Sequence, residues 1–137
     1  MRIGGSPSSL LDLPQTLTTL HLDGLDDALR HFNLNLLVEP YTLTDLSLRF
    51  NHLNDTKMMT FAEGLKKNRS LHTLTLYDNL ITDDGAMALA EALKTNTQLV
   101  ALDLGRNRIT DRGASAFAQV TFFSLGAHDQ DTHVRVH

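Results

Sequence analysis

One arrangement of apolar and polar positions recurs three times along the chain. Leu43, Leu46 and Leu48 are followed by Asn51 and Leu53; Leu71, Leu74 and Leu76 by Asn79 and Ile81; Leu99, Leu102 and Leu104 by Asn107 and Ile109. Successive starts are 28 residues apart, and residues 43–70 and 71–98 are identical at 11 of 28 positions. A fixed period of this length marks a stacked array, in which each unit buries its apolar face only against its neighbours. Within a unit, Leu46 and Leu48 alternate with Asp45 and Ser47. That period of two predicts a short strand with one buried and one wet face. Every unit runs the same way, so the strands must pair in parallel. Asn51, Asn79 and Asn107 stand where the chain leaves the strand and turns inward. A buried amide there can serve backbone groups that have lost their ladder partners.

The second half of each unit changes period. Met58, Phe61, Ala62 and Leu65 fall at helical spacing, as do Ala86, Leu89, Ala90 and Leu93, and then Ala114, Phe117 and Ala118. Asp55, Asp83 and Asp111 are placed to cap these helices by accepting from first-turn amides. Gly85 and Gly113 recur near the first turn, where glycine costs up to about 1 kcal/mol relative to alanine; their return predicts a close backbone approach, with Lys57 in the same slot one unit earlier. Asn68 and Asn96 follow the helices, where a left-handed residue would end them. Strands stack about 4.8 Å apart and helices about 8–10 Å apart. The array must therefore bend, with strands inside and helices outside.

Residues 43–118 resemble the ribonuclease-inhibitor-like subfamily of leucine-rich repeats. The segment from Leu71 to Lys94 (LHTLTLYDNLITDDGAMALAEALK) carries the resemblance most fully. The same repeat type occurs in ribonuclease inhibitor, Ran GTPase-activating proteins and nucleotide-binding immune receptors. The resemblance implies an α/β leucine-rich-repeat solenoid, a right-handed βα horseshoe with parallel strands on the concave side. It also implies a protein-binding role. The quoted residues are scaffold positions, so they do not choose among those proteins.

The flanks depart from the pattern. Leu17, Leu20 and Leu22 form a fourth strand signature 26 residues before Leu43, but Leu25 stands where the asparagine should be. The expected organisation is a flexible leader over 1–9 and a repeat domain over 10–126. That domain comprises an irregular repeat 10–42, repeats 43–70 and 71–98, and a partial repeat 99–126; a disordered tail follows over 127–137. In the partial repeat, β-branched and aromatic residues from Val120 to Leu125 replace helix formers. That stretch is expected either to fold back as an improvised cap or to stay exposed and promote association.

Composition narrows the function. Net charge is −4, 42% of residues are hydrophobic and there is no cysteine. A weakly acidic chain offers no support for nucleic-acid binding, and no apolar stretch approaches the roughly 20 residues of a membrane span. With no apolar signal segment, a cytoplasmic protein is expected. No P-loop, nucleophile-elbow or zinc-helix motif occurs, so no enzyme, cofactor, metal or small-molecule substrate is expected. His128, His133 and His137 lack the fixed spacing of a metal site. The expected partner is another protein. By alternation, the concave side chains include Asp45, Ser47, Arg49, Thr73, Thr75, Tyr77 and Asp103, and these are the candidate partner-binding residues. Arg49 and Tyr77 are of the types favoured as interface anchors. Two other readings remain at this point. One is a GTPase-activator-like fragment acting on a Ran-type GTPase, drawing on the Arg106, Arg108 and Arg112 cluster. The other is a structural segment of a larger immune-receptor-like sensor.

Overall fold

Leu20, Leu46, Leu74 and Leu102 lie side by side across one parallel sheet, each no more than 2% exposed. The computed structural model describes Pro14 and residues 16–25, 29–30, 33–34, 42–125 and 133–135. Strands β1 (Thr19–His21), β2 (Asp45–Ser47), β3 (Thr73–Thr75), β4 (Ala101–Asp103) and β5 (His133–Arg135) follow chain order in the sheet. Between them run helices α1 (Asp55–Lys67), α2 (Asp83–Leu93) and α3 (Asp111–Leu125). Helix α1 packs on α2 and α2 on α3. The result is an α/β leucine-rich-repeat solenoid with parallel strands on one side and helices on the other. The leader 1–9 and most of the irregular stretch 26–41 lie outside the described residues.

The core is the space between the two layers. Leu46, Leu48, Leu53, Met58, Phe61 and Leu65 fill one repeat, and Leu74, Leu76, Ile81, Ala86, Leu89 and Leu93 the next. Burying a leucine is worth about 1.5–3 kcal/mol relative to leaving it exposed. The three-residue strands β1 to β4 therefore persist because each presents a leucine to this shared core.

The exit asparagines are buried as the pattern predicts. Asn79 Nδ2 donates to the Leu48 and Leu76 carbonyls at 3.0 and 2.9 Å, and its Oδ1 accepts from the Asn51 and Leu53 amides, both at 3.0 Å. Asn51 makes part of the same set one unit earlier, to the Leu22 carbonyl and from the Leu25 amide, and Asn107 one unit later, to the Leu76 and Leu104 carbonyls and from the Ile81 amide. One side chain thus satisfies backbone groups of two consecutive repeats.

Three local expectations are corrected. The first concerns the aspartates. Helix α1 is capped by Asn54, whose side chain accepts from the Lys57 amide at 3.0 Å. Asp55 instead accepts from the Thr82 amide at 2.8 Å and from the Thr82 hydroxyl, and Asp83 does the same for Thr110. Each carboxylate holds the start of the following helix. The second concerns Asn68, which is extended (φ −69°, ψ 139°) and not left-handed. Its Oδ1 turns back to accept from the Ser70 and Leu71 amides, and Asn96 does likewise for Gln98 and Leu99. Asn96 also donates to the Leu65 carbonyl of the preceding helix at 2.7 Å.

The third correction concerns the end of the array. Residues 120–125 continue α3 as helix, although β-branched and aromatic residues are weaker helix formers. Phe117 and Val120 are 3% and 1% exposed, occupying the places of Leu89 and Ala92. Ala118 is exposed where its counterpart Ala90 is buried, since Ala90 has α3 beside it. Within the expected tail, His133–Arg135 pairs with β4 in parallel, Val134 opposite Leu102. An open strand edge is a strong template for further pairing. Residues 127–132, 136 and 137 lie outside the described residues, including His128 and His137 of the histidine group.

Candidate functional site

The outward side chains of the strands form three rows, and the register fixes each row. Thr19, Asp45, Thr73 and Ala101 make the first; His21, Ser47, Thr75 and Asp103 the second. Asp23, Arg49, Tyr77 and Gly105 follow just beyond the strands, where the ladder continues through Leu22 N–H to the Ser47 carbonyl and Leu48 N–H to the Thr75 carbonyl. The first two rows are mostly small side chains. They leave a shallow groove of about 320 Å³ lined by Thr19, His21, Asp23, Asp45, Ser47, Arg49, Thr73 and Thr75.

All seven candidate residues lie on this face, and they are not equivalent. Ser47 is 7% exposed, and its hydroxyl donates to Asp23 Oδ1 at 2.6 Å. Asp23 Oδ1 also accepts from the Arg49 amide at 2.8 Å, so it fixes the turn into the third row. Asp45 and Asp103 each use one oxygen locally, on the Thr44 hydroxyl and the Gly105 amide. Thr73, Thr75 and Tyr77 are half-buried, while Arg49 is exposed.

A feature beyond the reach of alternation lies at the rim. Gly24, Phe50, Asp78 and Arg106 occupy the same place in successive repeats and all have positive φ (69°, 59°, 57° and 54°). In this conformation the amides of Gly24, Phe50 and Asp78 reach the carbonyls of Arg49, Tyr77 and Gly105 in the next repeat, and the asparagines after Phe50 and Asp78 turn inward. Glycine takes up this conformation freely, whereas a bulky side chain in it is an outlier. Phe50 is nevertheless 50% exposed, with its ring edge-on to Tyr77 at 5.9 Å and 84°. Tyr77 in turn lies against Gly105, where a Cβ would stand 2.8 Å from its ring. The glycine clears the space that the tyrosine occupies.

The arginine cluster is partly engaged. Arg106 pairs with Asp78 at 3.5 Å and Arg112 with Asp84 at 3.9 Å, all four side chains well exposed. Such pairs contribute little to stability. Asp83 is held below the usual carboxylate range, first by the Thr110 hydroxyl and then by its amide. Partial burial lowers the Lys57 ammonium from its ordinary value. Among the described residues no helix is long and apolar enough to cross a membrane.

Comparison with family models matches the leucine rich repeat over residues 42–62, 67–90 and 95–118, together half of the chain. The chain belongs to the leucine-rich-repeat family. The matched leucine-rich repeats begin just before β2, β3 and β4 and extend into α1, α2 and α3. Among solved structures, the leiomodin-1 actin-binding site 2 fragment is similar at 19% identity and a TM-score of 0.69, covering 85% of this chain and 70% of that one. The tropomodulin C-terminal domain of Caenorhabditis elegans is similar at 11% identity and a TM-score of 0.50, covering 88% and 92%. At these identities the likeness is one of fold. Comparison with curated proteins finds no significant match.

Proposed function

We propose that this leucine-rich-repeat chain is a non-catalytic protein-interaction module that binds a protein partner on its concave strand face. The observation that carries this reading is the contrast between the two layers. The strand face combines a groove of small side chains with a rim bearing Arg49, Phe50 and Tyr77. The outer helix face carries ordinary surface pairs such as Glu63–Lys66 and Glu91–Lys94 together with the exposed Met59 and Met87, with no aromatic pair among the described residues there. Rigid presentation is enough for this function, because the buried asparagine bonds and the aspartate bonds between helix starts hold each repeat to the next without ordering on contact. Two of the three arginines that a GTPase-activating role would draw on are already paired with aspartates, which leaves the interaction reading ahead. The ribonuclease-inhibitor-like subfamily remains the repeat type that the Leu71–Lys94 segment resembles, and a cytoplasmic location goes with this proposal.

The test is comparative affinity capture followed by mass spectrometry. The intact chain, a concave variant Thr75→Arg and a convex variant Met87→Arg serve as baits, with folding checked by circular dichroism. Purified actin is the first defined protein to include, since the similar leiomodin-1 fragment is an actin-binding site. The reading expects a partner retained by the parent and by Met87→Arg but lost with Thr75→Arg. Loss with Met87→Arg alone would place binding on the helices and overturn it.

A further inference from the structure

We propose that Arg49, Phe50 and Tyr77 form the anchor for a partner segment carrying a carboxylate beside an apolar side chain; this rests on the concave-face reading above. Phe50 occupies a position that the other repeats fill with Gly24, Asp78 and Arg106, all at positive φ. A phenylalanine there is strained and leaves half its surface in water. Folding alone gives no reason for it, since glycine or asparagine would serve the turn better. What the phenylalanine adds is an apolar edge packed against Tyr77, whose own position is fixed from behind by Gly105. A rigid aromatic pair orders little on binding, which is the property of an interface anchor.

Charge decides which segment fits. Arg49 precedes Phe50 in the chain and stands beside Tyr77 in the same row, one strand spacing away. Its side chain is exposed, and its guanidinium has no ion-pair partner among the described residues. Asp23, its neighbour in the row, has one oxygen already accepting from the Ser47 hydroxyl and the Arg49 amide. A guanidinium on an exposed side chain recognises a carboxylate in a planar, two-pronged geometry, and Arg49 presents one in the same row as Tyr77 of the aromatic pair. The segment that matches is acidic and apolar side by side.

Three synthetic peptides of equal length test this, with Phe flanked by Glu, by Lys or by Ser. They are titrated into the intact isotope-labelled chain, and amide shifts report both affinity and place. The Glu peptide is expected to bind about tenfold tighter than the Lys peptide, with shifts at the exits of β2 and β3. Arg49→Gln should abolish that preference. Phe50→Asn should weaken the Glu peptide about tenfold while keeping the fold, because asparagine accepts positive φ. Equal or tighter binding of the Lys peptide at the strand exits overturns the proposal and leaves the concave reading standing. Shifts confined to α1 and α2 overturn both. Absence of binding by all three peptides, or full affinity in Phe50→Asn, overturns the proposal.

Discussion

Asp83 and Thr110 stand 27 residues apart, and their contact ties the start of one helix to the start of the next. Asp83 Oδ1 accepts from the Thr110 amide at 2.7 Å and the Gly113 amide at 3.2 Å, while Oδ2 accepts from the Thr110 hydroxyl at 2.5 Å. Asp55 makes the same clasp on Thr82. These bonds hold repeats at a fixed spacing on the helix side, as the asparagines do on the strand side.

Asp83→Ala should lower stability at neutral pH, as seen by thermal melting. Hydrogen bonds from Thr110 depress the folded-state pKa of Asp83. Its contribution is therefore present above the unfolded aspartate value of about 3.9 and is lost as pH falls through the lower folded value. The gap between parent and variant should narrow on acidification. A gap that widens towards low pH would contradict the clasp.

Gly113→Ala should destabilise although alanine is the better helix former. The added Cβ would stand 2.6 Å from Asp83 Oδ1, 2.8 Å from Ile109 Cγ2 and 3.1 Å from Asp83 Cα. Overpacking of this kind costs about 1–3 kcal/mol, against a propensity gain of up to about 1 kcal/mol. The shift of the urea midpoint gives the sign, and a stabilised variant would show that the helices have room to part.

Asn79→Ala should be among the most damaging single changes. It would strip partners from the Leu48 carbonyl and the Asn51 and Leu53 amides, while the Leu76 carbonyl keeps its bond from Asn107. Each buried group left unsatisfied costs about 1–3 kcal/mol, so a loss of about 3 kcal/mol or more is expected in chemical denaturation. A loss below about 1 kcal/mol would mean that water replaces the amide.

Residues that act within one repeat were legible in the sequence. The leucine spacing predicts the strands, their direction and the buried faces of α1 and α2, and alternation predicts which side chains line the concave rows. What escaped depends on contacts between repeats. Asp55 and Asp83 have the spacing of local caps, yet their partners lie a full repeat away. The resemblance between Gly85 and Gly113 hints at crowding but does not say that a carboxylate causes it. Ser47 alternates outward and is still buried, because Asp23 draws its hydroxyl in. Phe50 looks like a loop residue until its positive φ and its contact with Tyr77 are seen together. The helical end of α3 was hidden because Phe117 and Val120 gain burial that local propensity does not register.

The central claim is that binding takes place on the strand face. Amide hydrogen exchange, measured on the free chain and on its complex with the captured partner, tests it most directly. The account predicts added protection in the segments 19–25, 45–50, 73–78 and 101–106, with α1 and α2 unchanged. Protection confined to Asp55–Lys67 and Asp83–Leu93, with the strand exits unaffected, would contradict it.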